Sequence, residues 1–342
     1  MIVYVCIKNT GRVNPMRHKI LITDQEVHFE NTLQDLESIS DVVKAKSNDE
    51  NELSIYAYDS DIIVVSCFTK ITSKIINSAK KLKAIIKYGV GVDNINIDEA
   101  TKRGVLVINC PEYGSETIAD HAFSLIACLS RNVIKIDRNM RKKGWFWPNP
   151  EYMGTDIFGK TLGIIGFGRI GKAMAKRAKG FSMKVIVFDP YIDDETVTQF
   201  DVKRVNLDGL LELLDFLSIH CILTPETRGL IGEAELKRMK NDAYLINVSR
   251  GEIIDEDALI KALRNGWIAG AGLDVFNDEP LNVNHPLLSF ENVIITPHLA
   301  WYTKGASKRL EMEAFQRIIE VIDGKIPKNV KNTDVFYLNI DS

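Results

Sequence analysis

The chain has 342 residues, enough for two domains and a large core, and its 45% hydrophobic and 26% charged residues are ordinary globular values. A net charge of −3 supplies no field for nucleic acid or an anionic membrane, and no apolar run reaches the roughly 18 residues that span a bilayer. The five cysteines (Cys6, Cys67, Cys110, Cys128, Cys221) are scattered, odd in number and without C-x-x-C spacing, which points to a reducing, cytoplasmic setting and no metal site. Residues 1–6 are apolar and uncharged at their head, so they read as a strand rather than a signal peptide. Residues 19–23 make a better first strand of a repeating unit, and 30–46 alternate weakly between helical and strand signals. A buried strand at 61–66, a helix at 73–79 and a strand at 82–87 follow, and that alternation implies a parallel sheet with crossover helices. The last of these strands runs into Tyr88-Gly89-Val90-Gly91-Val92-Asp93-Asn94. Backbone amides there can hold a small carboxylate, or the stretch is a plain glycine loop. Residues 98–103 read as a helix closed by Gly104, and 105–109 as a strand stopped by Pro111. Ser115 or Thr117 can cap the next helix. Its apolar stripe (Ile118, Ala119, Ala122, Phe123, Leu125, Ile126, Leu129, Val133) suits a domain bridge or a subunit contact. The aromatic, proline-broken segment 144–150 either anchors an interface or packs on its own domain.

Residues 163–171 carry the clearest signal in the chain. A buried strand enters Gly166-Phe167-Gly168-Arg169-Ile170-Gly171, the G-x-G-x-x-G spacing of a dinucleotide fingerprint. The first glycine makes the tight turn, the second admits a pyrophosphate, and the third lets the following helix pack on the strand. That helix's free amides and dipole hold the anion. A second apolar run, 183–188, ends at Asp189, 18 positions after Gly171 and close to the roughly 20 expected for the acid that binds the ribose hydroxyls. A carboxylate there repels a 2′-phosphate and favours NAD over NADP; the alternative is that Asp189 merely closes a strand before Pro190.

After an acidic, polar stretch, 207–214 reads as helix, 216–221 as strand, 233–239 as helix and 243–248 as strand. The last delivers Ser249-Arg250-Gly251. A helix at 255–265 closes at Gly266, a small strand at 268–275 leads to Asp278-Glu279-Pro280, and the strand at 292–296 delivers Pro297-His298. A long amphipathic helix over 304–323 completes the pattern. Arg250, Glu279 and His298 thus fall at or just past strand ends, where a doubly wound sheet has its crevice. Reducing a ketone with a nicotinamide needs a proton donor, which a histidine can supply. A carboxylate on its other ring nitrogen fixes the tautomer, and an arginine fork grips a carboxylate at two points. His298 is then the acid/base, Glu279 its orienting partner and Arg250 the substrate clamp. Taken singly, each has a plainer alternative: a surface ion pair for Arg250, a turn for Glu279-Pro280, a satisfied buried ring for His298.

Five stretches together resemble the D-2-hydroxyacid dehydrogenase family: residues 89–94, Gly166 to Gly171, 247–251, 270–276 with Glu279-Pro280, and Thr296-Pro297-His298. The resemblance covers nearly everything after residue 17. It implies an α/β fold of two doubly wound parallel-sheet domains, a Rossmann NAD-binding domain (114–303) inserted into a flavodoxin-like substrate-binding domain (1–113, with 304–342 returning to it). It implies an NAD(H)-dependent enzyme interconverting a small 2-oxo acid and its D-2-hydroxy acid, and the roles given above to Arg250, Glu279 and His298. It places the substrate on Tyr88, Val90, Gly91, Arg250 and His298. It places the cofactor near Thr117, Gly166, Phe167, Gly168, Arg169, Ile170, Gly171, Asp189, His220, Val248, Ser249, Asp274, His298 and Ala300. His220 matches a His-x-Pro motif of the family, with Ile222 where proline is usual. Members are usually homodimers, which suits the apolar helix near Phe123.

Residues 142–171 and 267–272 resemble the glyoxylate and hydroxypyruvate reductase branch, and 64–94 the 3-phosphoglycerate dehydrogenase branch. The latter often has an arginine where Ser66 stands, so a phosphorylated substrate is disfavoured, and the length leaves no room for a regulatory domain. Glutamate at 279 argues against formate, whose dehydrogenases pair histidine with glutamine. The expectation is a glyoxylate or hydroxypyruvate reductase. The alternatives are a 3-phosphoglycerate dehydrogenase and an NAD(H)-sensing binding protein like the co-repressors that resemble this family, which the lack of long partner-recruiting tails disfavours.

Overall fold

The computed structural model describes residues 17–337, so the strand read at residues 1–6 lies outside the described residues. The chain divides into two compact units. One runs to Pro111 and resumes at Lys308; the other spans Glu112–Ser307. No helix among the described residues is long and apolar enough to cross a membrane.

The first unit contains β1 (His18–Ile22), α1 (Leu33–Ile39), β2 (Ser40–Lys44), α2 (Glu50–Ala57), β3 (Ile62–Val65), α3 (Ser73–Ser78), β4 (Ala84–Lys87), α4 (Ile97–Lys102) and β5 (Leu106–Asn109). Its strands are all parallel, in the order β2-β1-β3-β4-β5. This is the flavodoxin-like doubly wound order, reversing between β1 and β3. Every residue of β3 and β4 is buried, because crossover helices cover both faces, and that is why they read as unbroken apolar runs. The helix α2 breaks no such pattern and is not announced by it. Asp49 starts it, accepting from the Asn51 and Glu52 amides.

The second unit contains α5 (Ser115–Ser130), α6 (Val133–Lys143), β6 (Thr161–Ile165), α7 (Arg169–Gly180), β7 (Lys184–Phe188), α8 (Asp194–Phe200), β8 (Lys203–Arg204), α9 (Leu207–Leu213), β9 (Phe216–Ile219), α10 (Glu233–Arg238), β10 (Tyr244–Asn247), α11 (Glu256–Asn265), β11 (Gly270–Leu273) and β12 (Val293–Ile295). The parallel order β8-β7-β6-β9-β10-β11-β12 reverses between β6 and β9, as in a Rossmann sheet. Residues Lys304–Ile322 form α12, and Lys308 within it opens the returning segment of the first unit. There Glu311, 3% exposed, accepts from the Asn31 and Thr32 amides at 2.6 and 2.8 Å, and Asn332 accepts from the Val107 amide at 2.8 Å.

Two local expectations are corrected. The apolar stripe through Val133 is not one helix: Asn132, at φ +53°, separates α5 from α6, and asparagine tolerates that left-handed geometry. Neither Ser115 nor Thr117 caps α5. Gly114 is the cap position, Ser115 is already inside the first turn, and Thr117 is buried. The acidic, polar stretch after Asp189, given no element from sequence, holds two. It forms α8, with Asp193 accepting from the Thr196 amide at 2.6 Å, and then β8. Phe123 is buried inside its own unit, its ring centroid 4.6 Å from that of Phe181. Val133 and Met140 on α6 and Trp145 and Trp147 in the loop after it are exposed.

Candidate active site

The glycine turn at the end of β6 is pinched at two positions and open at one. Gly166 has φ +86°, and a Cβ there would stand 2.4 Å from the Cys221 amide nitrogen, because the chain leaving β9 passes directly against it. A Cβ on Gly171 would stand 2.3 Å from the Gly166 carbonyl oxygen, so only glycine lets α7 sit down on the turn. Around Gly168 a Cβ would meet nothing within 4 Å. That is the spacing a pyrophosphate cradle requires, with protein against the first and third glycines and room at the second. The helix α7 starts at Arg169 with no side-chain cap on Gly168, so its first amides are available to an anion. Phe167 is buried and Arg169 and Ile170 form the first turn.

Asp189 stands one residue past β7. Its Oδ1 accepts from the Tyr191 amide at 2.8 Å, which is the turn-closing role; its Oδ2 accepts from the Phe167 amide at 2.7 Å, which ties it to the glycine turn. His220 follows β9. Its Nε2 lies 2.8 Å from Ser218 Oγ, while Nδ1 is shut off from solvent with no hydrogen-bond partner among the described residues. Burial pushes this imidazole down to about 3, so the ring is neutral at ordinary pH. A buried ring nitrogen without a partner beside a glycine turn fits a group supplied from outside the chain. These residues therefore fit a dinucleotide.

The end of β10 is built by Asn247, which is fully buried. Its Oδ1 accepts from the Ser249 amide at 3.0 Å and its Nδ2 donates to the Arg250 carbonyl at 2.8 Å. Ser249 Oγ donates to the Cys221 carbonyl, joining this loop to the one after β9 and leaving Val248 buried between them. Arg250 Nη1 donates to the Ser249 carbonyl at 2.8 Å. Glu279 Oε2 lies 2.7 Å from His298 Nδ1, and its Oε1 accepts from the Phe276 amide at 3.0 Å. Burial opposes ionisation of Glu279, yet the His298 hydrogen bond and charge, the Phe276 amide and the Arg250 charge together hold its carboxyl below the usual range. The structure thus gathers Arg250, Glu279 and His298 at one end of one sheet, with a carboxylate fixed on one ring nitrogen of the histidine.

His298 has φ +56°, an uncommon backbone geometry for a side-chain-bearing residue. Asp274, fully buried past β11, holds the turn. Its carbonyl accepts from the His298 amide at 2.7 Å, and its carboxylate from the Leu299 and Ala300 amides at 2.9 and 2.8 Å. Two residues given no role of their own in the sequence expectations complete this arrangement. Thr296 Oγ1 donates to Asp274 Oδ1 at 2.5 Å, and His121 Nε2 lies 3.0 Å from Thr296 Oγ1. For His121 the available signal was a polar residue three positions after Ile118 and four before Leu125, on the apolar side of α5.

Tyr88, Val90 and Gly91 belong to the other unit, after β4. Tyr88 Oη donates to the His28 carbonyl at 3.0 Å. The Gly89 and Val90 carbonyls accept from the Cys110 amide at 2.9 Å and from Asn109 Nδ2 at 2.6 Å. In a planar trans peptide the N–H points opposite the carbonyl, so the Val90 and Gly91 amides face away from β5.

The family profile described as D-isomer specific 2-hydroxyacid dehydrogenase, NAD binding domain, matches residues 123–300. A glyoxylate reductase from Korarchaeum cryptofilum is 43% identical over 279 residues, covering 81% of this chain and 84% of that protein. A D-3-phosphoglycerate dehydrogenase from Methanocaldococcus jannaschii is 39% identical over 315 residues, covering 92% of this chain and 59% of that protein. The crystal structure of D-lactate dehydrogenase from Aquifex aeolicus complexed with NAD and lactic acid superposes with a TM-score of 0.85 at 30% identity, covering 92% of this chain and 99% of that one. The chain belongs to the D-isomer specific 2-hydroxyacid dehydrogenase family. It is an NAD-dependent oxidoreductase of that class.

Proposed function

We propose that the protein reduces a small, unphosphorylated 2-oxo acid of glyoxylate or hydroxypyruvate size with NADH, and oxidises the D-2-hydroxy acid in reverse. The carrying observation is the 2.7 Å bond between His298 Nδ1 and Glu279, which commits one ring nitrogen and leaves Nε2 to exchange a proton with the substrate oxygen. The relatives named glyoxylate reductase support the size of the acid. When bound, the nicotinamide supplies the hydride and takes it back. As charge develops on the carbonyl oxygen, His298 gives up its Nε2 proton, and the carboxylate of Glu279 stabilises the imidazolium that makes this possible. Arg250 grips the substrate carboxylate. Gly166 to Gly171, Asp189 and the exit loops carrying His220, Val248, Ser249, Asp274 and Ala300 hold the dinucleotide, and Thr117, in the first turn of α5, lines it. Ser66, buried and bonded through its amide to Asp24 Oδ2 at 2.8 Å, offers no cation for a phosphate.

Residues 133–147 support a homodimer. Among the described residues the helix α6 has no fully buried side chain, and Trp145 and Trp147 stand 74% and 77% exposed. A second copy would cover them. Sedimentation of the wild type against Trp145→Ser/Trp147→Ser checks this: a dimer that becomes a monomer is expected.

The assay is NADH oxidation at a matched concentration of glyoxylate, hydroxypyruvate, pyruvate and 3-phosphohydroxypyruvate. Fastest turnover of glyoxylate or hydroxypyruvate is the expected result. A preference for the phosphorylated acid would make it a 3-phosphoglycerate dehydrogenase, and no turnover with NADH bound would make it a nucleotide-sensing protein.

A further inference from the structure

The His298 turn needs more than its own backbone to hold it. A histidine at φ +56° sits in a left-handed geometry that persists only where the surroundings fix it. Asp274 supplies that fixing through its carbonyl and both carboxylate oxygens, and its carboxylate is itself buried with only 1% side-chain exposure. What orients the carboxylate is the hydroxyl of Thr296, 2.5 Å from Oδ1.

The direction of each bond follows from the protons available. An ionised carboxylate only accepts, so the single hydroxyl proton of Thr296 goes to Asp274. The hydroxyl oxygen is then free only to accept, and its remaining neighbour at 3.0 Å is His121 Nε2. His121 therefore carries a proton on Nε2. The result is a chain in which His121 donates to Thr296 and Thr296 to Asp274, while the Asp274 carboxylate also accepts from the amides of Leu299 and Ala300, and each bond polarises its neighbour. His121 Nε2 also lies 3.7 Å from Asp274 Oδ1.

Helix register places His121 there. A Cβ on Gly272 would stand 3.0 Å from Leu125 Cβ, so α5 packs closely on β11 at that point. One helical turn toward the start of α5, about 6 Å away, is His121. Two residues further along the strand, about 6.6 Å away, is Asp274. The two steps match because α5 runs against the direction of β11.

We propose that His121 is a positioning residue for His298, acting through Thr296 and Asp274 to fix the turn that presents the imidazole. The proposal rests on the reading of His298 as the acid/base. His121 touches neither substrate nor reacting atoms; it removes the freedom of the Thr296 hydroxyl to rotate away from Asp274.

The test compares kcat, KM for the fastest 2-oxo acid, NADH affinity and melting temperature in four variants of the full chain. His121→Phe keeps a ring and removes the donor. His121→Gln restores a donor near the Nε2 position. Thr296→Val breaks the next link with a side chain of nearly the same shape, and decides the matter if His121→Phe does not fold. His298→Ala reports on the parent reading. The expected result is a kcat lowered about tenfold or more in His121→Phe and Thr296→Val, with KM and NADH affinity changed less than about threefold and most of the rate recovered in His121→Gln. A His121→Phe enzyme within twofold of wild type, or a His121→Gln variant as slow as His121→Phe, overturns the proposal. If His298→Ala is inactive while those outcomes occur, only the relay falls. If His298→Ala turns over normally, the acid/base reading falls and takes the relay with it.

Discussion

The two sheets begin alike and end differently. In the first unit Asp61 precedes β3, accepts from the Lys19 amide at 3.0 Å and pairs with Lys83 Nζ and His18 Nδ1, both at 3.2 Å. In the second unit Asp215 precedes β9, accepts from the Thr161 amide at 2.8 Å and pairs with Lys240 Nζ at 2.9 Å and Lys160 Nζ at 3.9 Å. Each aspartate also bonds through its own amide and carbonyl to the two neighbouring strands. The strand at which a doubly wound order reverses needs its two neighbours aligned, and one carboxylate on the flanking backbone does this in both sheets. At the carboxyl ends the likeness stops. The first unit offers amides over a buried lysine, Lys87, whose Nζ donates to the Ser66 carbonyl at 2.7 Å and to Asn94 Oδ1 at 2.6 Å. The second offers a pinched glycine turn, a neutral buried imidazole and a carboxylate-fixed histidine. Under the proposed function one scaffold would serve anion recognition in one copy and proton transfer in the other, through what the strand ends carry.

Substitutions at the glycines break this contrast most severely. Gly166→Ala forces a Cβ into backbone at φ +86°, and Gly171→Ala drives one into the Gly166 carbonyl. Both should abolish NADH binding or folding. Gly89→Ala in the first unit meets only the flexible Lys87 Cε at 3.6 Å, so its cost is the φ +145° strain of about 1–3 kcal/mol, visible as a raised KM. Equal losses at all three would erase the distinction between the strand ends. The shared starts are expected to be equivalent instead. Asp61→Ala and Asp215→Ala should each lower unfolding free energy by about 1–3 kcal/mol in urea titrations, since each leaves a strand amide without its acceptor and removes the carboxylate partner of a lysine.

Acid sharpens the same comparison. Burial opposes ionisation of Asp61 and Asp215, but the strand amides and basic neighbours hold both below the usual range. A depressed carboxyl stabilises the fold above its unfolded value, near 3.9, and that gain is lost as pH falls through the lower folded value. His220 acts over an earlier window. Its folded value of about 3 lies below the unfolded 6.5, so protons bind the unfolded chain first and stability drops as pH falls below about 6.5. Melting temperature should therefore decline between pH 6.5 and 5 in the wild type and not in His220→Asn. The smallest effect is expected at Asp189. Replacing it with alanine should narrow the preference for NADH over NADPH several-fold with little change in NADH turnover, and an unchanged ratio would assign the discrimination elsewhere.

Much of this could be read from residues alone because it depends on local chemistry. Glycine spacing, the acid after β7 and the polar residues stranded at the ends of apolar runs carry their own explanation. The parts that could not be read depend on neighbours in space. Asp61 and Asp215 look like ordinary strand-edge residues until strand order is known. His121 becomes meaningful only when α5 is laid against β11, and the break between α5 and α6 turns on one residue, Asn132, in a left-handed geometry. Short helices such as α2 and α8 are set by an aspartate at their start rather than by an apolar period.

The most direct test of the division between the two strand-end sites is the single-turnover rate of NADH oxidation by His298→Ala at a saturating 2-oxo acid, read beside NADH affinity from fluorescence. The expected result is a rate lowered by about 10²–10⁴-fold with NADH affinity within threefold of wild type. An undiminished rate would contradict it and move the proton donor away from the Glu279–His298 pair.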